Sequence, residues 1–305
     1  MPIDRAALEL LAQLRQHHRH AGHFCFFTDE ANLTSIVTSK RLYCRREALA
    51  RGLIEVDCAS AEVLSAAPAW VQNYVRLYFA PLGPMLYRTE GIKRVADQWP
   101  HCPRPVYLVF KPEILLVRGA RVSDGNLSSG YTECPERPSS EYFESLPFAD
   151  IYGRGVLPSK IAVKAQVNRR RQAEVLIPTE LSLDSLERIV FRSDAERDLA
   201  FRDLPNLADQ FPTEVDVSWF YAPTTGRPYL KALSESELDV ANEADGDTLL
   251  QVTRTPGGAV EAYRSSYKNG AWDEWKNVRL ARSNLPNPGW VRFFLNGWRV
   301  AEQPK

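Results

Sequence analysis

Several kinds of residue pattern are missing from this chain, and each absence removes a class of function. Formal net charge is zero, with 38 basic residues against 38 acidic ones. No global field therefore draws the protein to a polyanion, and any basic surface must be local. The five cysteines, Cys25, Cys44, Cys58, Cys102 and Cys134, are odd in number and contain no Cys-x-x-Cys pair. That argues against a disulfide framework or a zinc ribbon and for a reducing compartment, the cytoplasm. No window approaches the roughly 18 apolar residues of a membrane span. The start, Met1-Pro2-Ile3-Asp4-Arg5, lacks a basic stretch leading into a long apolar one, so no signal peptide is expected. There is no Gly-x-Gly-x-x-Gly, no Walker-type loop and no nucleophile elbow, which argues against Rossmann, P-loop and hydrolase chemistry.

What is present is the composition of an ordinary soluble protein, 44% apolar and 25% charged, over a length of 305 residues that suits two domains. Residues 4–19 read as a helix, with Ala7, Leu8, Leu10, Leu11 and Leu14 at helical spacing and Asp4 as a cap. It runs into His17-His18-Arg19-His20 and then Gly22. Three histidines invite a metal, but no carboxylate or cysteine completes a ligand set nearby, and a helix C-terminus favours basic groups. No metal is expected.

Phe24 to Phe27 reads as a strand, followed by a helix through Ala31, Leu33, Ile36 and Val37, then a strand at Leu42-Tyr43-Cys44. Residues 59–67 suit a short helix. Tyr74 to Phe79 alternates and is aromatic, hence a strand. It enters Ala80-Pro81-Leu82-Gly83-Pro84, an irregular turn that presents Met85, Leu86 and Tyr87 from a fixed backbone. Val106 to Phe110 is a further strand. Residues 119–170 are rich in Gly, Pro and Ser, with one helical piece near 141–146, and carry Lys160, Lys164, Arg169, Arg170 and Arg171 at their end. A segment this long and irregular is commonly a binding loop. Residues 184–191 suit a strand, 194–207 a helix and 215–220 a strand.

Pro223-Thr224-Thr225-Gly226 marks a boundary. Beyond it a helix is predicted at 233–243, and strands at 247–254, 259–265, 276–281 and 290–295. Trp272, Trp275, Trp290 and Trp298 lie there with basic neighbours. Aromatics interleaved with cations suit a small core, and equally suit stacking on bases or anchoring a partner. The expected division is an N-terminal helix at 1–21, a catalytic domain at 22–222 and a C-terminal accessory module at 223–305.

One residue stands out. Arg169-Arg170-Arg171-Gln172 breaks into the short apolar strand Ala173 to Ile177, and Glu174 sits at the junction. An ionised carboxylate inside a sheet must be paired, hydrogen-bonded or used, unless it points at water from an edge.

Several stretches together resemble the DarT family of nucleic-acid ADP-ribosyltransferases, toxins of toxin–antitoxin pairs that use NAD to modify a DNA base. They are Phe27-Thr28 with Asn32-Leu33-Thr34-Ser35-Ile36; Tyr74-Val75 through Tyr78-Phe79-Ala80-Pro81 and on to Pro84-Met85-Leu86-Tyr87; Asp124; Gln172-Ala173-Glu174-Val175-Leu176-Ile177; and Trp219-Phe220-Tyr221. The likeness covers about residues 22–222. It implies an α+β fold with a split mixed β-sheet core holding NAD in its cleft and helices around it, followed here by a small mixed or antiparallel module. It places the catalytic glutamate at Glu174 and NAD contacts at Thr28, Asn32, Leu33 and the block Tyr78, Phe79, Met85, Leu86 and Tyr87. The loop preceding the glutamate is the part that meets nucleic acid. Two departures stand against the pattern. Phe26 occupies the place of a family histidine, and no arginine stands near Ser65-Ala66, where the family carries one.

The chemistry requires a carboxylate beside the ribose to stabilise oxocarbenium-like charge and to take a proton from the base, which suits Glu174. It also requires a guanidinium for the pyrophosphate. Arg45 and Arg46 are the candidates, Arg46 as a catalytic partner, and Phe26 remains as a flat face for nicotinamide. Lys160, Lys164 and Arg169 to Arg171 suit the phosphates of an acceptor strand. A single strand is favoured over a duplex, since a base must leave its stack to react, and DNA is favoured over RNA by the resemblance alone. The partners expected are therefore NAD as substrate, single-stranded DNA and a cognate antitoxin. The alternatives are a non-catalytic nucleic-acid or partner-binding protein on the same fold, and a transferase acting on RNA or protein.

Overall fold

The computed structural model describes residues 3–59, 61–90, 102–154 and 156–221, with backbone alone at 61–63. Beyond these it describes strand segments between 229 and 304, where Tyr229 alone has a described side chain. Helix α1 (Arg5–Leu14) is capped by the Asp4 side chain and buries Ala7 and Leu11. It is shorter than the apolar pattern suggested. Both buried residues join the main core, so this helix packs as part of the same body as the strands that follow.

Then come β1 (Phe24–Asp29), α2 (Leu33–Ser39), β2 (Arg41–Tyr43), α3 (Arg45–Ala50), α4 (Ala61–Ala66), β3 (Tyr74–Tyr78), α5 (Pro84–Thr89) and β4 (Pro105–Phe110). The second half holds β5 (Arg121–Val122), α6 (Ser140–Glu144), α7 (Phe148–Ile151), α8 (Ile161–Arg170), β6 (Glu174–Pro178), β7 (Glu180–Ser182), β8 (Leu186–Phe191), α9 (Asp194–Asp203), α10 (Leu207–Gln210) and β9 (Thr213–Val215). Seven strands form one sheet in the order β5-β6-β3-β1-β4-β8-β9, and β2 pairs with β7 beside it. Within the sheet β8 and β9 run parallel and the other pairs antiparallel. The mixed α+β architecture expected from the sequence is what forms.

The centre of this sheet is split. β1 pairs with β4 over six residues, and β3 with β6 over five. Yet β1 and β3 meet only at Cys25 opposite Tyr78. Past that point Phe26 to Thr28 and Val75 to Tyr74 no longer pair with each other.

Four local expectations change. The cations at 160–170 stand on a helix, α8, not in a loop; none of its residues is buried, so no apolar stripe announced it. The stretch 215–220 is only briefly a strand. Asp216 accepts a hydrogen bond from the Ser218 amide and starts a 3-10 turn over Val217–Trp219. The helix from 194 stops at Asp203 just before Pro205 and resumes as α10. The turn after β3 is followed by a true helix, α5, with Pro84 in its first turn. Leu82, ahead of it, takes a left-handed φ of 61°. That conformation is held by two tyrosines: Leu82 N–H donates to Tyr107 Oη at 3.2 Å, and Tyr221 Oη–H donates to the Leu82 carbonyl.

The C-terminal region folds as β10 (Tyr229–Leu233), β11 (Leu238–Ala241), β12 (Gly246–Thr253), β13 (Val260–Lys268), β14 (Ala271–Trp272), β15 (Asn277–Arg279), β16 (Trp290–Leu295) and β17 (Trp298–Pro304). These make sheets β10-β11-β15 and β14-β13-β12-β16-β17. The helix expected at 233–243 is replaced by the β10–β11 pair. Leu238 and Val240 alternate with Asp239, a period of two that the charged run Ser234 to Glu237 obscured. Arg192 stacks over the Tyr229 ring at 4.9 Å, joining this region to the seven-stranded sheet. Arg192 itself is fully buried and is held by Glu90 at 3.0 Å, by the Pro103 carbonyl at 2.9 Å and by Glu196.

Candidate active site

The parting of β1 and β3 opens a cleft of about 1110 Å³, its open mouth included. One wall is Phe26, Phe27 and Thr28 of β1, and the other is Tyr74, Val75, Arg76 and Tyr78 of β3. Helices α2 and α3 and the segment 53–59 close the remaining sides.

That segment is fastened by Asn32. Its amide donates to Thr28 Oγ1 at 2.9 Å and to the Val56 carbonyl at 2.8 Å. Its carbonyl accepts from Glu55 N–H at 2.8 Å and Val56 N–H at 3.1 Å. Two donors and two acceptor positions exhaust what an asparagine side chain can offer. Asn32 therefore shapes the cleft by fixing its wall. Ser35 adds a bond to the Leu53 carbonyl at 2.8 Å. Arg45 forks onto Asp57, with Nη1 to Oδ1 at 2.7 Å. Burial alone would raise the Asp57 carboxyl, but the Arg45 fork and the Ala59 amide outweigh it and hold it below the usual carboxylate range.

Glu174 lies beside the cleft at the start of β6, directly opposite Tyr78 in register. Its side chain is 1% exposed. Arg76 Nε donates to Oε2 at 2.6 Å and Arg76 Nη2 to Oε1 at 2.7 Å. Leu127 N–H adds a longer bond to Oε1, 3.4 Å. The backbone is tied as well: Glu174 N–H donates to Ser123 Oγ at 3.0 Å, and Ser123 N–H to the Glu174 carbonyl at 2.9 Å. Burial would lower the Arg76 guanidinium, but the Glu174 charge and its hydrogen bonds push it above its ordinary value. Burial, then the Glu174 charge, lifts the Tyr78 hydroxyl to about 12, so it stays protonated.

Of the residues expected to hold NAD, Phe26, Thr28, Asn32, Arg45, Tyr78 and Met85 line the cleft. Leu33, Phe79 and Leu86 are buried in the apolar core, with Phe79 edge-on to Phe24 at 5.1 Å. Tyr87 is half-exposed and stands edge-on to Tyr221 at 5.1 Å. Arg46 turns to Asn73 at 3.3 Å, and its side chain is not part of the cleft lining. Lys160, the N-cap residue of α8, and Lys164 within it are exposed. Arg169 forks onto Asp124 at 2.8 and 2.9 Å, Arg170 meets Asp150 at 2.7 Å, and Arg171 caps the helix. The first two are therefore committed to carboxylates.

Sequence reasoning passed over Arg76. It falls two residues from Tyr74 and from Tyr78, on one face of an alternating strand, and that spacing was a usable signal. Among the described cleft residues three are arginines, and each has a carboxylate: Arg41 with Glu180 at 2.6 Å, Arg45 with Asp57, and Arg76 with Glu174. Among the described residues no cluster of three His, Cys, Asp or Glu suited to a metal ion occurs, and no helix is long and apolar enough to cross a membrane.

Solved structures share this fold. Thermus sp. 2.9 DarT in complex with ADP-ribosylated ssDNA aligns with a TM-score of 0.54 at 17% identity, over 66% of this chain and 96% of that one. Thermus sp. 2.9 DarT in complex with NAD+ gives 0.51 at 16% identity, over 66% and 98%. Thermosipho africanus DarTG in complex with ADP-ribose gives 0.51 at 16% identity, over 68% of this chain and 52% of that one. No curated protein matches the chain in sequence. A profile of the family described as ssDNA thymidine ADP-ribosyltransferase, DarT, matches residues 25–221. The chain belongs to the DarT family, and it is an NAD-dependent ADP-ribosyltransferase of single-stranded DNA.

Proposed function

We propose that the transfer takes place at the split between β1 and β3, with Glu174 as the catalytic carboxylate and a thymine ring nitrogen as acceptor. The observation that carries this is the position of Glu174: at the edge of the cleft, opposite Tyr78, with its backbone tied on both sides. In the reaction the bond from ribose C1′ to the nicotinamide nitrogen breaks, and nicotinamide leaves neutral. The ribose develops positive charge, which a nearby carboxylate stabilises. The base nitrogen bonds to C1′ and releases its proton to that carboxylate. In thymidine the ring nitrogen that carries a proton is N3, which fixes the acceptor atom. Phe26 and Tyr78 provide flat walls for the nicotinamide, and Arg45 is one of the cleft-lining guanidiniums suited to the pyrophosphate. The exposed Lys160, at the start of α8, and Lys164 within it suit the phosphates of the DNA strand.

The resemblance to DarT toxins, and a neighbour named DarTG, support a toxin restrained by a cognate antitoxin and acting in the cytoplasm. The test is Glu174→Gln, which keeps the volume of the side chain. Transfer to single-stranded DNA, read by mass spectrometry of released nucleosides, should fall by about 10²–10⁴-fold. Expression of the wild type without antitoxin should arrest growth, and expression of the variant should not. Full activity in a folded Glu174→Gln protein would refute the assignment.

A further inference from the structure

Glu174 cannot meet a substrate where it rests. Its carboxylate is 1% exposed, and Arg76 occupies both oxygens. Arg76 itself is 21% exposed and lines the cleft, so it stands between the carboxylate and the space where a ligand would lie. A ribose hydroxyl can hydrogen-bond Glu174 only after this fork has opened. Pulling the guanidinium away would be costly if it left either charge buried and unpaired. A dinucleotide offsets that cost on both sides: its pyrophosphate brings anionic oxygens to the guanidinium, which fits phosphate as well as carboxylate, and its ribose hydroxyl donates to the freed Glu174 carboxylate.

On the reading that Glu174 is catalytic, we propose that Arg76 is a positioning residue of the transfer. It fixes and covers Glu174 while the cleft is empty, and moves its fork to the pyrophosphate when NAD enters, uncovering the carboxylate beside the ribose. Glu174 stays in place after that exchange because its other ties are to backbone and serine: Ser123 Oγ holds its N–H, and Leu127 N–H still reaches Oε1. No bond is made or broken in this step; one anion replaces another at the guanidinium.

The experiment uses Arg76→Gln and Arg76→Lys in the full chain. It measures thermal stability, binding of a non-hydrolysable NAD analogue by calorimetry, and kcat for a thymidine-containing oligonucleotide at saturating NAD. Arg76→Gln should weaken analogue binding by about tenfold and lower kcat by about tenfold or more. Arg76→Lys should recover most of the binding, since it keeps the charge, but not kcat, since an ammonium lacks the fork. If both variants only melt earlier, with wild-type binding and kcat, Arg76 merely neutralises a buried carboxylate and the proposal fails. If Arg76→Gln does not fold, Arg76→Lys decides alone, and wild-type kcat there overturns the proposal. Glu174→Gln separates the two claims. Its inactivity with unaffected Arg76 variants sinks only the role of Arg76; its retained activity sinks the catalytic assignment itself.

Discussion

Asn32→Ala gives the most direct test of how the cleft is built. The substitution removes four hydrogen bonds, three from Asn32 to the wall 53–59 and one to Thr28 of β1. At a net worth of about 1 kcal/mol each, their sum is about 4 kcal/mol. Glu55 is exposed and Val56 only half-buried, so water replaces part of what is lost. About 2 kcal/mol of local destabilisation is the expected result, which corresponds to about a 30-fold rise in the population of the opened segment. Hydrogen exchange reads this directly at the Glu55 and Val56 amides, which should exchange about 30-fold faster while amides of β4 keep their protection. NAD binding should weaken in step, because the wall it lies against has loosened. Asn32→Asp keeps both acceptor bonds and loses both donors, so it should fall between the wild type and the alanine variant. Unchanged exchange at Glu55 and Val56, with weakened NAD binding, would refute this account and make Asn32 a direct ligand.

Two further expectations concern stability. Burial, then the charges of Arg154 and Arg19, lowers His20 from 6.5 to about 4. Its stabilising contribution is complete above the unfolded value and is lost as pH falls from about 6.5 towards 4. Allowing for its partial exposure, His20→Phe should lessen the loss of stability between pH 7 and 5 by about 1 kcal/mol, measured as urea midpoints at the two pH values; parallel declines would contradict it. Gly125 lies against Arg169, where an added Cβ would sit 2.7 Å from Nη1 and 3.1 Å from the backbone carbonyl. Gly125→Ala should cost about 1–3 kcal/mol and loosen the Arg169–Asp124 fork; an unchanged melting temperature would show that the loop yields freely.

The strands of the catalytic sheet were legible because their apolar runs are short, β-branched or aromatic, and bounded by turn residues, as at Val106 to Phe110 and Ala173 to Ile177. Helix α8 was not, since a helix without a buried face has no hydrophobic period to read. Glu174 was legible as an anomaly, an acid leading an apolar strand, but its partner lies 98 residues away in the chain. Such pairing follows from strand register, which local pattern does not encode. Asn32 was placed at the cleft from the family resemblance, yet its work goes through Glu55 and Val56, backbone groups that no side-chain pattern reveals. Leu33, Phe79 and Leu86 illustrate the converse. They lie within the matching motifs, and their side chains fill the core against which the cleft is built.

The pairing of every described cleft arginine with its own carboxylate bears on how the two substrates arrive. An ion pair closed to within about 3 Å is felt as a dipole, and at a Debye length of about 8 Å in physiological salt little of its field survives. The paired arginines of the empty cleft therefore exert little long-range pull, and NAD binding at the proposed site should show an on-rate nearly blind to ionic strength. The lysines at 160 and 164, at the start of and within a helix without a buried face, are exposed, and among the described residues neither meets a carboxylate. On the proposed roles of the cleft and of these lysines, approach of the DNA strand is the salt-dependent event, and the encounter with the polymer is steered where that with the dinucleotide is not.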